Sequence, residues 1–530
     1  MELHKILIGG DWRAADACGT FQAEDPGAQR VLADVYPVSS WRDCEAALAA
    51  ATQAATVLAH IDAERIAAFL EDYALRIEQQ KTELVDMAHA ETALPKTPRL
   101  ADVELPRTTN QLRVAAAAAR EGSWALPTID TKLNIRSCHA AIGPACVFGP
   151  NNFPFAFNSI AGGDFAAALA AGNPVIAKAN TSHPGVTRLL AVEAYRAAQA
   201  AGLPAGAIQL LYRLRHDDGE RLVADDRVGA TAYTGSRAAG LALKAAADRA
   251  GKPIYLELSS VNPVIILAGA LAERLPQIAD DFTGSCLMGT GQFCTNPGLV
   301  VLVRGPRTDE FLAALVERFQ KAAVGTLLSR GVQQSLAQGV ATWRAAGAQL
   351  LTGDEDGSGR GYSRANTLLR ASGAAFLKNP VALQTEAFGN ASLLVVADDL
   401  AQVVAVIDHL EGNLTGSIYT SSSGSDDADY ALVAQRLRPR VGRLLNDKMP
   451  TGVAVSAAMN HGGPYPATGH PGFTAVGIPA ALRRFSALQC YDNVRHTRLP
   501  GCLQDRNPNG KMWRLIDGHW TQGDVAAPSR

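Results

Sequence analysis

The chain has 530 residues, 47% of them hydrophobic and 19% charged, with a formal net charge of −2. That length exceeds a single ordinary hydrophobic core and implies two or three domains. Scattered Lys and Arg in a near-neutral chain argue against nucleic acid or an anionic membrane as a partner.

The N-terminus, MELHKILIGGDWRAA, has acidic and Trp residues where a signal peptide would be continuously apolar. ILIGGDW predicts a short hairpin with Gly9-Gly10 as its turn. Residues 41–120 are rich in Ala, Leu, Glu and Arg at helical spacing and read as a run of helices. Strand and helix then alternate: IGPACVFGP, SIAGGDFAAALAAG, PVIAKAN, VTRLLAVEAYRAAQAAG, AIQLLY, GATAYTG and SRAAGLALKAAADRAG. This βα spacing predicts a doubly wound parallel sheet with helices on both faces. No apolar run reaches the roughly 18 residues of a membrane span. The longest candidate, 155–178, is broken by Asn158, Asp164, Asn173 and Pro174. From about residue 262 the pattern restarts with NPVIILAG, giving a second α/β domain. The final 40 or so residues are rich in Arg, Pro, Asn and Gly, with Trp513 and Trp520, and too poor in apolar residues for their own core. They are expected to pack on another domain or subunit. The eight cysteines show no disulfide framework, which fits a reducing cytoplasm.

Chemistry-bearing residues gather where strands end. GPNNFP (149–154), KANTSHPG (178–185) and TGSRAAG (234–240) each follow a strand of the first sheet, the end at which ligands bind in such sheets. No full GxGxxG is present. TGSRAAG offers Gly235, backbone N–H groups and the Ser236 hydroxyl at a helix start, so Ser236 is either a pyrophosphate contact or a simple helix cap. In YLELSSVNP, Glu257 stands among apolar residues. Desolvation there would raise its pKa toward the range of a general base, unless it is paired with a distant cation. GTGQFCTNPG places Cys294 among small and polar residues, with Cys286 eight residues upstream and no histidine near enough in the chain to complete a metal set. Cys294 is therefore a reactive thiol or an inert loop cysteine, and no metal is expected. TEAFGN brings Glu386 and Phe388, and NHGGPYPATG brings the loop histidine His461, which is either structural or catalytic.

GPNNFP, Lys178, TGS, Glu257 in ELS, Cys294 in GQFC, and Glu386 with Phe388 in EAFG occur in the order and spacing of the aldehyde dehydrogenase superfamily, which the chain resembles from its first hairpin to about residue 490. The resemblance implies two doubly wound parallel-sheet domains plus a small oligomerisation element. A cofactor-binding domain would span 1–260 with a return segment near 457–488, and a catalytic domain 261–456. Segments 124–140 and 489–530 would serve oligomerisation, in a homodimer or homotetramer. It further implies that Cys294 attacks an aldehyde, that the Asn152 amide and the Cys294 N–H hold the oxyanion, and that Glu257 activates water against the thioester. Lys178 would reach the adenosine ribose, Gly235 and Ser236 the pyrophosphate, Glu386 the nicotinamide ribose, and Phe388 would line the nicotinamide pocket.

Two features depart from the common pattern. NAD-preferring members usually carry a glutamate three residues after the lysine; here Thr181 stands there, and Arg213 and Arg215 follow in LYRLRH. NADP is therefore expected over NAD. GSRAAG also replaces an acidic helix start, with Arg237 expected to face solvent. HGGPYPAT and AGGDFAAAL resemble the 2,5-dioxopentanoate (α-ketoglutarate semialdehyde) dehydrogenases and related NADP-dependent fatty-aldehyde enzymes, in which His461 would lie near the thiol as a proton relay. The substrate implied is a short semialdehyde. An alternative is a medium- or long-chain aliphatic or an aromatic aldehyde in a tunnel of Phe155, Phe157, Phe293 and Phe473. An acylating dehydrogenase is disfavoured by Glu257, and a non-catalytic protein by the presence of Cys294, Glu257 and Asn152 together.

Overall fold

Gly9 and Gly10 both take positive φ (62° and 85°) and join the antiparallel strands Ile6–Ile8 and Asp11–Arg13, as the Gly-Gly turn predicts. The structure, a computed structural model, describes residues 3–472 and 474–526. The alanine-rich stretch folds into helices Trp41–Leu58, Ala63–Gln79, Lys81–Thr92 and Leu105–Glu121. Ser40 and Asp62 start the first two by accepting hydrogen bonds from the N–H groups of Arg42 and Glu64.

The first large sheet runs in the order Ile254–Glu257, Ala230–Thr234, Ala145–Phe148, Val175–Lys178, Ile208–Leu211, then the N-terminal hairpin. The strands from Ile254–Glu257 to Ile208–Leu211 are parallel, and the hairpin adds antiparallel. From Ala145–Phe148 the chain steps outward through Val175 and Ile208, then returns to the other side as Ala230 and Ile254. Such a reversal opens a crevice beyond the carboxyl ends of the strands. GPNNFP, TGS and Glu257 all lie at those ends.

The second sheet has the order Gln349–Thr352, Thr367–Ser372, Ala391–Ala397, Leu299–Val303, Val264–Ile266, Asn413–Tyr419, Val441–Asn446. All its pairs are parallel except that of the edge strand Gln349–Thr352. Its strands alternate between two cores. Val264, Ile266, Val300 and Leu302 pack with helices Ala268–Leu287 and Thr308–Lys321. Ile265, Leu299 and Val301 face the other side, with residues of helices Arg330–Ala345, Leu400–Asp408 and Asp427–Leu437. The period-2 alternation of a strand produces this two-faced burial.

Beyond the second sheet the chain comes back to the first. Leu258 N–H donates to Ala467 O (2.8 Å) and Gly469 N–H to Leu256 O (3.1 Å), so 461–469 runs alongside the strand that ends in Glu257. The C-terminal segment packs on another part of the chain, one of the two expected outcomes. Strands Ser486–Asp492, Arg514–Ile516 and His519–Thr521 join Thr128–Asp130 and Ile135–Ala141 in one five-stranded sheet. What the tail lacks in apolar residues is supplied by Arg514, wholly buried, which donates to the carbonyls of Gln504, Asp505 and Gly523. Among the described residues no helix is long and apolar enough to cross a membrane.

Candidate active site

Cys294 sits in the loop between helix Ala268–Leu287 and strand Leu299–Val303. The loop is held from below by backbone geometry and amides. Gly291 has φ +69°, and a Cβ there would lie 2.0 Å from the Gly389 carbonyl oxygen, so the approach of these two loops requires glycine. Asn262 Nδ2 donates to the carbonyls of Cys294 and Asn296, both at 2.9 Å. Gln292 Oε1 accepts the Leu328 N–H at 2.8 Å. A thiol on so fixed a loop keeps one position. Cys286, by contrast, is fully buried in the core of the second sheet.

The returning segment delivers His461 to this thiol. His461 Nε2 lies 3.4 Å from Cys294 Sγ and 2.9 Å from Glu257 Oε1. One ligand atom from each of the three side chains falls within 4.8 Å of the others. Glu257 and His461 are both almost wholly buried, and neither Glu257 oxygen receives a well-directed hydrogen bond among the described residues. The carboxylate is thus close to the thiol with lone pairs open to accept a proton. Among the described residues no Lys or Arg forms a salt bridge with it. Burial first, and the Glu257 charge second, push the Cys294 thiol well above its usual range, while Arg107 opposes the shift. The thiol is therefore protonated at rest, and its activation needs a proton acceptor at hand. The same three atoms suit a divalent ion such as zinc, which would occupy the nucleophile.

Asn152, at the carboxyl end of Ala145–Phe148, is buried and donates one Nδ2 hydrogen to Gln292 O at 3.0 Å. An amide has two such hydrogens, so this bond leaves one of them unused. The phenylalanines expected in a tunnel divide. Phe153, Phe157 and Phe293 form one small cluster, Phe155 is buried in the core of the first sheet instead, and Phe473 lies outside the described residues. The tunnel reading is corrected further by two cations over the rings. Arg99 Cζ is 4.5 Å from the Phe153 centroid and 5.3 Å from that of Phe293, and Arg107 Cζ is 5.2 Å from that of Phe157. A wall carrying two guanidinium groups does not suit a purely aliphatic chain.

The residues expected at the dinucleotide come from several elements: Lys178, Gly235 and Ser236 from strand ends of the first sheet, and Glu386 and Phe388 from the loop before Ala391–Ala397 of the second. Gly235 admits no side chain, since a Cβ would come 2.7 Å from Tyr233 Oη. Ser236 occupies the N-cap of helix Arg237–Arg249, but its hydroxyl makes no capping bond. The simple-cap reading therefore fails, and the first N–H groups of that helix stay available to an anion. Lys178 ends its strand with no carboxylate partner among the described residues, and burial, then repulsion from Arg213, bring its ammonium down to about 8. Thr181 is half-buried just beyond it, while Arg213 and Arg215 are exposed. Arg213 Cζ stands 5.9 Å from the Phe21 ring centroid; Arg215 occupies the N-cap position of helix His216–Val223, and its side chain makes no capping bond. Glu386 accepts the Ser260 N–H at 3.3 Å and borders a cavity of about 210 Å³. Burial raises its carboxyl to about 6. Phe388 is half-buried in the loop before Ala391–Ala397. Arg237 does not simply face solvent: it makes a two-point pair with Glu411 (2.8 and 3.1 Å). Free N–H groups at a helix start, a lysine with no carboxylate partner among the described residues and a carboxylate at a cavity suit a dinucleotide.

Sequence reasoning missed Arg99, Arg107 and the anchoring roles of Asn262 and Gln292. The two arginines lie in KTPRLADVELPRTTN, whose approach to the site depends on the irregular turn Lys96–Glu104, and no residue spacing announces that turn.

The Aldehyde dehydrogenase family profile matches residues 12–463. Alpha-ketoglutaric semialdehyde dehydrogenase 2 of Azospirillum brasilense is 39% identical, covering 97% of this chain and 98% of the relative. Alpha-ketoglutaric semialdehyde dehydrogenase of Acinetobacter baylyi is 36% identical, covering 98% and 99%. Among solved structures, an indole-3-acetaldehyde dehydrogenase complexed with NAD+ superposes with a TM-score of 0.78 at 21% identity, covering 92% of this chain and 96% of the other, and shares its fold.

Proposed function

The chain belongs to the aldehyde dehydrogenase family, and on that premise we propose that it oxidises 2,5-dioxopentanoate (α-ketoglutaric semialdehyde) to the dicarboxylate, with NADP as the preferred coenzyme. The substrate reading is supported by two near-full-length relatives that bear that substrate's name. The observation that carries the chemistry is the meeting of Cys294 Sγ, His461 Nε2 and a Glu257 oxygen within 4.8 Å.

The Cys294 thiol passes its proton to Glu257, and Sγ bonds the aldehyde carbon while the C=O π electrons move to oxygen. The Asn152 amide and the Cys294 N–H stabilise that oxyanion. When bound, the coenzyme supplies the hydride acceptor that converts the thiohemiacetal to a thioester. Glu257, having released the thiol's proton to solvent, next takes a proton from water; the hydroxide adds to the thioester carbon, the C–S bond breaks, and Sγ leaves with the electron pair and is reprotonated from Glu257. His461, at 2.9 Å, keeps the carboxylate facing the thiol between these steps. Lys178, Gly235, Ser236, Glu386 and Phe388 would hold the dinucleotide. Thr181 and Arg213 support NADP: the threonine brings no repulsion to a 2′-phosphate, and Arg213 acts on the Lys178 ammonium, whereas no such link involves Arg215. Segments 124–140 and 489–526 would join copies in a homodimer or homotetramer.

The test is turnover of 2,5-dioxopentanoate by the purified protein without coenzyme A. The expected result is NADPH and 2-oxoglutarate in equal amounts, with a higher kcat/KM for NADP than for NAD. A requirement for coenzyme A, or faster oxidation of long uncharged aldehydes, would overturn the reading.

A further inference from the structure

Among the described residues Arg107 is a cation with no salt-bridge partner of its own. It projects from helix Leu105–Glu121 and donates its Nε–H to Gln111 Oε1 at 3.2 Å, while its buried Nη2 has no hydrogen-bond partner among the described residues. Its neighbour Arg99 is differently placed. Arg99 is ion-paired with the buried Glu104, whose other oxygen accepts the N–H groups of Phe155 (2.8 Å) and Ala156 (3.0 Å). That carboxylate is consumed by one guanidinium and the backbone. Leaving a second guanidinium unmatched in such surroundings is unfavourable unless a ligand's anion offsets it.

The position says which ligand. Arg107 Cζ lies 5.2 Å from the Phe157 ring centroid and 5.8 Å from that of Phe153. The Phe157 ring in turn lies 5.8 Å from the His461 ring, and His461 Nε2 is 3.4 Å from the nucleophilic sulfur. One aromatic ring therefore separates the free guanidinium from the histidine beside the reacting atom. A short aldehyde attacked by Cys294 would lay its methylene carbons against Phe157 and carry its far end to Arg107.

We propose that Arg107 seats the remote carboxylate of the substrate and so selects semialdehyde acids over uncharged aldehydes. The inference rests on the substrate class given above and assigns a residue to it. A guanidinium fork fits a carboxylate in two-point fashion. The faces of Phe153 and Phe157 hold the guanidinium by cation–π contact and exclude water from the pair.

The experiment compares kcat/KM for 2,5-dioxopentanoate and its methyl ester in the wild type, Arg107→Met and Arg107→Lys. The acid-to-ester ratio cancels any effect of Arg107 on the thiol itself. In the wild type the ratio should be about a hundredfold or more, the scale lost when one partner of a buried charge pair is removed. Arg107→Met should bring it to within a few-fold of unity, and Arg107→Lys should fall between. If Arg107→Met does not fold, the wild-type ratio and that of Arg107→Lys still decide. A wild type indifferent to esterification, or a lysine variant with the full wild-type ratio, overturns the proposal. A wild type that favours the acid together with an Arg107→Met that keeps the preference overturns it while the substrate reading stands. Wild type that oxidises neither compound removes the substrate reading itself.

Discussion

Replacing Glu257 with glutamine should make Cys294 easier to alkylate and yet cripple turnover. The Glu257 oxygen and the Cys294 sulfur lie within 4.8 Å of each other, and the carboxylate is second only to burial among the causes that keep the thiol protonated. At an effective dielectric constant of about 20, two unit charges at 4.8 Å repel by about 3.5 kcal/mol. Removing that repulsion enlarges the thiolate fraction at a fixed pH below the thiol's titration by roughly a few hundredfold. A thiolate formed more easily is a weaker nucleophile, with a Brønsted slope of about 0.5, so the alkylation rate should rise by roughly ten- to twentyfold. The assay is iodoacetamide labelling across pH, read by peptide mass at Cys294 because Cys490 is exposed and also reacts. In the wild type the rate climbs with pH as thiolate forms; in Glu257→Gln the climb begins at lower pH. The same variant should release a burst of about one equivalent of NADPH and then turn over slowly, since the more acidic thiol loses its proton to solvent without Glu257, so the thioester still forms, while water is not activated. A variant alkylated no faster than wild type at neutral pH would refute the electrostatic link between the two side chains.

Asn152→Ala should lower kcat by about a hundred- to a thousandfold, the scale of one lost oxyanion donor, with coenzyme affinity measured by fluorescence titration unchanged. The Glu386 carboxyl, raised by burial to about 6, becomes protonated as pH falls through that value and loses an acceptor for a ribose hydroxyl. Coenzyme Kd should therefore rise below about pH 6 in the wild type, and this dependence should be absent in Glu386→Gln. Thr181→Glu should shift the NADP-to-NAD ratio of kcat/KM toward NAD by roughly ten- to a hundredfold. Arg213→Ala should weaken NADP more than Arg215→Ala does, and an equal effect of the two would remove Arg213 from the 2′-phosphate site.

The sheets were legible because their strands are continuous apolar runs stopped by Gly and Pro, as in PVIAKAN and NPVIILAG, and burial on both faces demands that pattern. The positions of Cys294, Glu257 and Asn152 were legible because each sits in a short loop or strand end whose local composition differs from the core. His461 could be set near the thiol only by the family resemblance, because its contact with Cys294 spans 167 residues of sequence and depends on a segment returning to an earlier sheet. Arg107 was not legible at all. A helix such as LPRTTNQLR gives no sign which of its cations is buried, and that depends on the bend before it and on where Phe153 and Phe157 stack. The tail's composition pointed to packing on another part of the chain, and Leu499 and Leu503 do cluster with Ile129 and Cys138; the carbonyls gathered around the buried Arg514 could not be read from sequence.

The central claim is that substrate carbon becomes bonded to Cys294. The direct measurement is acid quenching of Glu257→Gln after one cycle with 2,5-dioxopentanoate and NADP, followed by peptide mass mapping. The account predicts an acyl group of the substrate's mass, less one hydrogen, in place of the thiol hydrogen on the peptide carrying Cys294, in proportion to the NADPH burst, and none in the Cys294→Ala, Glu257→Gln double variant. A burst without an adduct on Cys294, or with the adduct on another residue, would contradict it.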